Sequence, residues 1–125
     1  MNTRKRFRIG ILGDGGWGTA LAVLLCAKGY PVTLWGAFPE NLRSITRCAQ
    51  NKRFLPGIKI SRQIKITAEI HEAVSNQDLL ILAVPSQYLR QTLKKIRRAD
   101  LKRNTVVLSV IKGIEIGRAS CRERV

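Results

Sequence analysis

Three glycines near the start of the chain have the spacing that a phosphate-binding turn requires. Gly13, Gly15 and Gly18 fit the pattern G-x-G-x-x-G, between a short apolar run suited to a buried strand and apolar residues at helical spacing. The first glycine of such a turn permits a tight bend, the second lets the backbone approach a pyrophosphate, and the third lets the helix pack closely on the strand. Free amides and the positive end of the helix dipole then face the phosphates. The pattern predicts a dinucleotide site.

A purely structural turn between a strand and a helix is the alternative explanation of this pattern. It would account for Gly13 and Gly18, because both serve local geometry. It gives no reason for the additional glycines or for an exposed-looking Trp17 at the helix entrance. The nucleotide-binding interpretation therefore explains more of the segment.

The segments that follow alternate between strand and helix patterns. A helix is expected from Trp17 to Lys28 with Gly29 as its stop, and a strand from Pro31 to Trp35, so a right-handed parallel β-α-β unit closes within about 30 residues. The later pattern predicts a helix over 39–50, a loop over 51–62, a strand over 64–67, a helix over 69–76, a strand over 78–84, a helix from a Ser86 cap to Arg98 and a strand over 104–110. The fold class is α/β, with an incomplete, doubly wound parallel sheet of the Rossmann type.

The end of the second strand is where a dinucleotide fold chooses between NAD and NADP. An Asp or Glu there would bind the ribose 2′-hydroxyl of NAD, and an Arg would accommodate the 2′-phosphate of NADP. This chain has Gly36, Ala37 and Phe38, which are neither. The cofactor preference is left open by the sequence.

Composition limits the remaining function classes. The chain has 125 residues, room for one domain, and a formal net charge of +15. The cations are spread along the chain without interleaved aromatics, so solvated faces explain them better than nucleic-acid binding does. The three cysteines form no C-x-x-C pair, which favours reduced thiols in the cytoplasm, and no metal site or membrane span is visible. His71, the only histidine, has no carboxylate partner within sequence reach and is interpreted as a surface residue.

Four segments taken together resemble one family, the bacterial-type NAD(P)-dependent glycerol-3-phosphate dehydrogenases. The resemblance covers Phe7 to Glu115 and is carried by the segments at 13–22, at 34–36 with Pro39 and Glu40, at 51–57, and at 84–86 with 112–115. It implies reversible hydride transfer between a nicotinamide cofactor, NAD or NADP, and dihydroxyacetone phosphate, giving sn-glycerol 3-phosphate for phospholipid synthesis.

The resemblance also implies site residues. Gly16 and Trp17 would contact the cofactor beside Gly13, Gly15 and Gly18, Ala37 would lie near the adenosine ribose, and Lys112 would lie between cofactor and substrate. A cation suits that last place, because both ligands are anionic and negative charge develops on the substrate oxygen during reduction. The implied partner is a phosphorylated small molecule, without membrane or nucleic acid, and a homodimer is one option for the full-length protein.

Three residues depart from the family pattern. Gly16 replaces the usual serine, which removes a hydroxyl but keeps the backbone N–H. Ala37 stands where the family often has Arg or His, so the preference for NADP is in doubt. Asp14 replaces a small apolar residue and would repel the pyrophosphate unless its side chain points away.

The end of the chain departs more strongly. In the family a helical second domain follows and supplies the catalytic lysine, so we expect no catalytic residue in this fragment and no turnover by it alone. Residues 116–125 resemble the in-frame translation of a sequencing-library adapter. We therefore divide the chain into a partial dinucleotide-binding domain, residues 1–115, and a non-native tail, residues 116–125, with a genuine basic tail as the alternative.

Three other interpretations of the whole chain stay open at this stage. One is a related two-domain dehydrogenase with the same nucleotide half, which the segments at 54–57 and 112–113 argue against. Another is a non-catalytic nucleotide- or nucleic-acid-binding basic α/β module. The third is an unstable product, whose unpaired sheet edge and exposed apolar surface would cause aggregation.

Overall fold

A five-stranded parallel sheet organises the chain, and its first strand lies in the middle. The computed structural model describes residues 7–111. Strand β1 (Ile9–Leu12) pairs with β2 (Val32–Trp35) on one side and with β6 (Leu79–Leu82) on the other. Strand β5 (Lys65–Thr67) extends the sheet beyond β2, and β7 (Val106–Ser109) extends it beyond β6. The strand order is therefore β5-β2-β1-β6-β7, and the direction of strand addition reverses between β1 and β6.

Apolar side chains cover both faces of this sheet, as a parallel sheet requires. Helices α1 (Gly16–Ala27) and α2 (Pro39–Cys48) contribute to one core, and α3 (Ile70–Val74) and α4 (Ser86–Lys95) to the other. The first core is centred on β-strand residues such as Ile11 and Leu34, and the second on Leu12, Trp35 and Leu82. Successive residues of β1 thus point to opposite cores, and the predicted doubly wound α/β fold is confirmed.

Most predicted elements are present, with ends that differ by a few residues. Helix α1 begins one residue earlier than expected and stops before Gly29, whose φ of +98° suits glycine at a helix terminus. Helix α4 ends at Lys95 rather than Arg98, and a 3₁₀ turn follows at Arg98–Asp100. The expected Ser86 cap is wrong: Pro85 holds the cap position, and no side chain caps this helix.

The segment expected to be a loop, residues 51–62, contains a hairpin instead. Strand β3 (Gln50–Asn51) pairs antiparallel with β4 (Leu55–Lys59). This pairing is short and irregular, with a register shift between Gln50 and Asn51. The sequence therefore lacks the apolar alternation from which a strand is predicted. The hairpin stands outside the main sheet and contacts α1 and α2.

His71, interpreted from the sequence as a surface residue, has a carboxylate partner from a distant segment of the chain. Its Nδ1 atom lies 2.6 Å from Asp100 Oδ2, and Arg97 Nε lies 3.6 Å from the same oxygen. The hydrogen bond with His71 holds the pKa of Asp100 below its ordinary value, and the charges of His71 and Arg97 act in the same direction. The partners are 29 residues apart, which is why sequence proximity did not pair them.

Strand β7 has one neighbour, β6, within the described part of the chain. Val106, Val107 and Leu108 are 58%, 44% and 46% exposed.

None of the helices within residues 7–111 is long and apolar enough to span a membrane. Cys26 and Cys48 are free thiols, whereas Cys121 and the tail assigned to residues 116–125 lie outside the described residues.

We expect the buried strands rather than the edge to carry most of the stability. Leu34→Ala removes a fully buried side chain from the first core and should lower the free energy of unfolding by about 2–5 kcal/mol. Val106→Thr, on the exposed edge strand, should change it by less than about 0.5 kcal/mol. Urea unfolding followed by circular dichroism measures both. Equal losses in the two variants would contradict this assignment of the core.

Candidate glycine-turn site

The predicted glycine turn lies at the carboxyl end of β1, where the strand order reverses. Ligands of open α/β sheets bind at this edge, in the crevice between the strands that flank the reversal. The N–H of Gly13 donates to Trp35 O at 2.8 Å, and Ala83 N–H donates to Leu12 O at 2.8 Å. The turn is therefore tied to the ends of both neighbouring strands.

Two of the three motif glycines are required by the close packing of the turn itself. Gly13 has φ +128°, and a Cβ there would lie 2.7 Å from the carbonyl of Ala83. A Cβ on Gly18 would collide with the backbone oxygen of Gly13. Helix α1 thus approaches the turn so closely that no side chain fits between them.

Gly15 is different, because nothing in the protein requires a glycine there. Its φ of −69° suits any residue, and a Cβ built on it would have no atom within 4 Å. The free space lies directly before the first turn of α1. A backbone that stays bare beside open space fits a ligand group that must approach it closely.

The amino end of α1 also presents uncapped amides. No side chain caps the helix, and the N–H groups of Gly16, Trp17 and Gly18 donate to no acceptor within residues 7–111. Trp17 is 57% exposed beside them. These amides and the positive end of the helix dipole provide a place for an anion.

A buried polar network holds the turn against the hairpin. The Asn51 amide donates to Asp14 O at 2.7 Å and to Thr19 Oγ1 at 2.9 Å, and Thr19 Oγ1 donates to the same carbonyl at 3.1 Å. Asn51 Oδ1 accepts from Phe54 N–H at 3.2 Å. Asn51 and Thr19 are fully buried, and their spacing in the sequence gives no signal that they meet.

The same hairpin leaves no room for a side chain at position 16. A Cβ on Gly16 would lie 2.8 Å from the backbone oxygen of Phe54, closer than real contacts allow. The hairpin can therefore occupy its observed position only with a bare backbone at Gly16. The glycine at position 16 thus has a packing cause within the chain.

The carboxylate of Asp14 points away from the helix amides. Asn41 Nδ2, in the first turn of α2, donates to Asp14 Oδ2 at 2.7 Å, and Asp14 is only 5% exposed. Burial raises the pKa of Asp14 above its ordinary value, although the hydrogen bond from Asn41, a hydrogen bond from its own backbone and the charge of Arg53 lower it. A pyrophosphate can bind at the turn only if the Asp14 side chain points away, as the sequence indicated, and the structure meets that requirement.

The remaining predicted site residues lie at different places. Ala37 is exposed beyond the end of β2, one residue after the buried Gly36. Lys112 lies outside the described residues, directly after Ile111, which is buried in the second core. Across the described segment, no three His, Cys, Asp or Glu side chains come together to hold a metal ion.

Comparison with known proteins identifies the family. A sequence profile described as "NAD-dependent glycerol-3-phosphate dehydrogenase N-terminus" matches residues 8–125. This chain belongs to that family. The comparison does not fit a non-catalytic nucleotide- or nucleic-acid-binding module, which the composition had left open.

Individual relatives agree with the profile. The chain is 43% identical over 108 residues to the glycerol-3-phosphate dehydrogenase [NAD(P)+] of Chlorobium limicola, covering 86% of this chain and 32% of the relative. It is 44% identical over 109 residues to that of Chlorobium phaeobacteroides, covering 87% and 32%. The crystal structure of glycerol-3-phosphate dehydrogenase from Coxiella burnetii superposes with a TM-score of 0.81 at 26% identity, covering 90% of this chain and 34% of that one. The chain spans about a third of the length of the curated relatives it matches.

The motif glycines should respond differently to alanine. Gly18→Ala forces a Cβ into the Gly13 carbonyl and should lower the free energy of unfolding by about 1–3 kcal/mol. Gly15→Ala adds a methyl group to open space and should change it by less than about 1 kcal/mol. Chemical denaturation of the two variants beside the wild type measures the difference. A large loss in Gly15→Ala would show that a packing contact occupies the space.

Asp14 and Asp100 should respond oppositely to pH. The raised folded-state pKa of Asp14 means that its ionisation opposes folding, so its contribution becomes more unfavourable as pH rises from about 4 through that pKa. Asp14→Asn should therefore gain stability relative to wild type as pH rises. The lowered pKa of Asp100 stabilises the fold above about pH 4, and this is lost as pH falls through the folded-state pKa.

Thermal unfolding of wild type, Asp14→Asn and Asp100→Asn between about pH 3 and 8 separates the two effects. Each variant removes one carboxylate, so the matched change in net charge cancels in the comparison. We expect the Tm of Asp14→Asn minus that of wild type to increase with pH, and the same difference for Asp100→Asn to decrease. Parallel curves for the two variants would contradict the assigned environments.

Proposed function

We propose that the protein to which this chain belongs is a cytoplasmic oxidoreductase of phospholipid synthesis. It interconverts dihydroxyacetone phosphate and sn-glycerol 3-phosphate with NAD or NADP, and residues 1–115 form part of its cofactor-binding domain. Family membership and the solved structure from Coxiella burnetii support this proposal. The observation that carries it is the open space over Gly15 in front of uncapped helix amides.

The glycine turn would hold the anionic part of the cofactor. Gly13 and Gly18 close the turn against β1, and Gly15 keeps the backbone bare where the pyrophosphate approaches. The amides of Gly16 and Trp17 donate towards it, and the helix dipole favours its negative charge. When bound, the nicotinamide ring supplies or accepts the hydride.

Two further residues complete the proposed site. Ala37 would lie near the adenosine ribose, where its small side chain leaves room. Lys112 would lie between cofactor and substrate, with its ammonium group offsetting the phosphate and the charge that develops on the substrate oxygen. The acid/base group that moves the proton is assigned to the second domain of the family, and no residue of 1–115 is proposed for that role.

Binding by the present chain tests the cofactor part of the proposal. NADH should quench the fluorescence of Trp17 saturably, because this exposed indole lies at the proposed site. Gly15→Ala should weaken binding by about tenfold or more, since its Cβ occupies space that the pyrophosphate needs. Gly29→Ala is the matched control: its φ of +98° disfavours alanine, so stability should fall while NADH affinity stays unchanged.

The result that would overturn the proposed site is NADH binding of equal affinity in wild type and Gly15→Ala. Quenching retained in a Trp17→Phe variant would show that the signal comes from Trp35 and not from the site. The reaction itself is tested in the product of the complete gene, by oxidation of NADH that depends on dihydroxyacetone phosphate.

A further inference from the structure

A carboxylate lies at the end of β2 although the three residues that follow the strand, Gly36, Ala37 and Phe38, are not acidic. A Cβ built on Gly36, the residue after β2, would lie 2.5 Å from Asp14 Cγ and 2.6 Å from Asp14 Oδ2. The Asp14 side chain therefore fills the space in which a side chain at position 36 would begin. Asp14 itself belongs to the glycine turn after β1, and the pairing of β1 with β2 brings its side chain to this place.

The carboxylate is held firmly in this position. Asn41 donates to its Oδ2 at 2.7 Å, and both residues are buried, at 5% and 7% exposed. A buried charge is screened by salt and water much less than an exposed one, so its field reaches neighbouring groups. Burial raises the pKa of Asp14, so its ionisation opposes folding.

In a dinucleotide fold, a carboxylate at the end of the second strand binds the ribose 2′-hydroxyl. The same charge repels the 2′-phosphate that distinguishes NADP from NAD. We propose, resting on the cofactor site proposed above, that Asp14 supplies this charge from the glycine turn and makes the protein select NAD over NADP. Asp14 is then a specificity-determining residue that the glycine turn contributes to the end of β2.

Arg53 is the cation that would favour the opposite choice. Its guanidinium carbon lies 5.7 Å from the ring centroid of Phe38 and 5.0 Å from that of Phe54, and its charge acts on Asp14. Arg53 is exposed, so its field is screened by solvent and salt more strongly than that of buried Asp14. The net effect at the end of β2 is therefore set by the carboxylate.

The experiment compares the affinities of NADH and NADPH for the 125-residue chain by fluorescence titration. Wild type should bind NADH about tenfold more tightly than NADPH, and Asp14→Asn should remove most of this difference by strengthening NADPH binding. Asp14→Ala removes the same carboxylate without introducing a side-chain amide, so it should also remove most of the difference in affinity. Asp100→Asn is the matched control, since it removes one carboxylate in the connection leading to β7 and should leave the ratio of affinities unchanged.

The outcomes separate the two proposals. A wild type that prefers NADPH or binds both equally overturns the role of Asp14, as does an unchanged ratio in Asp14→Asn, while the proposed cofactor site stands. Failure of wild type to bind either cofactor overturns both. If both Asp14 variants fail to fold, the wild-type ratio decides, and a clear preference for NADH supports the inference.

Discussion

The close approach of helix α1 to the end of β1 is the constraint on which the rest of the structure depends. The backbone of Gly18 packs on the carbonyl of Gly13, leaving no room for a side chain between them. This contact fixes the direction of the helix axis relative to the sheet, so the uncapped amides of α1 face the crevice where the strand order reverses. Binding geometry at this edge is therefore a consequence of backbone packing.

The polar interactions around the turn extend this constraint to the rest of the domain. Asn51 ties the turn to the β3-β4 hairpin, and Asn41 ties the Asp14 side chain to α2. Such buried groups would be costly without partners, so the hairpin and α2 must take up positions that satisfy them. The hairpin in turn requires a bare backbone at Gly16. Asp14 and Gly16 thus each have a specific packing neighbour.

Charge is used in two different ways within this small domain. The His71 and Asp100 pair joins α3 to the 3₁₀ turn, and the hydrogen bond with His71 lowers the pKa of Asp100. Asp14 is buried with an amide as its hydrogen-bond partner, and its ionisation is opposed by desolvation. Geometry places this carboxylate at the end of β2, where the proposed role in cofactor selection depends on its position.

The succession of helices and main-sheet strands along the chain, and the glycine turn, were determined by local sequence alone. Apolar runs, helical spacing and the spacing of Gly13, Gly15 and Gly18 depend on neighbours within a few residues, so they can be recognised without the fold. The pairing of His71 with Asp100, the short β3-β4 hairpin and the placement of Asp14 at the end of β2 were decided only by tertiary structure. The hairpin is local, but its short, irregular pairing leaves no apolar alternation in the sequence. The other two features join segments far apart in the chain, and the distance between such segments is set by how the two cores pack on the sheet.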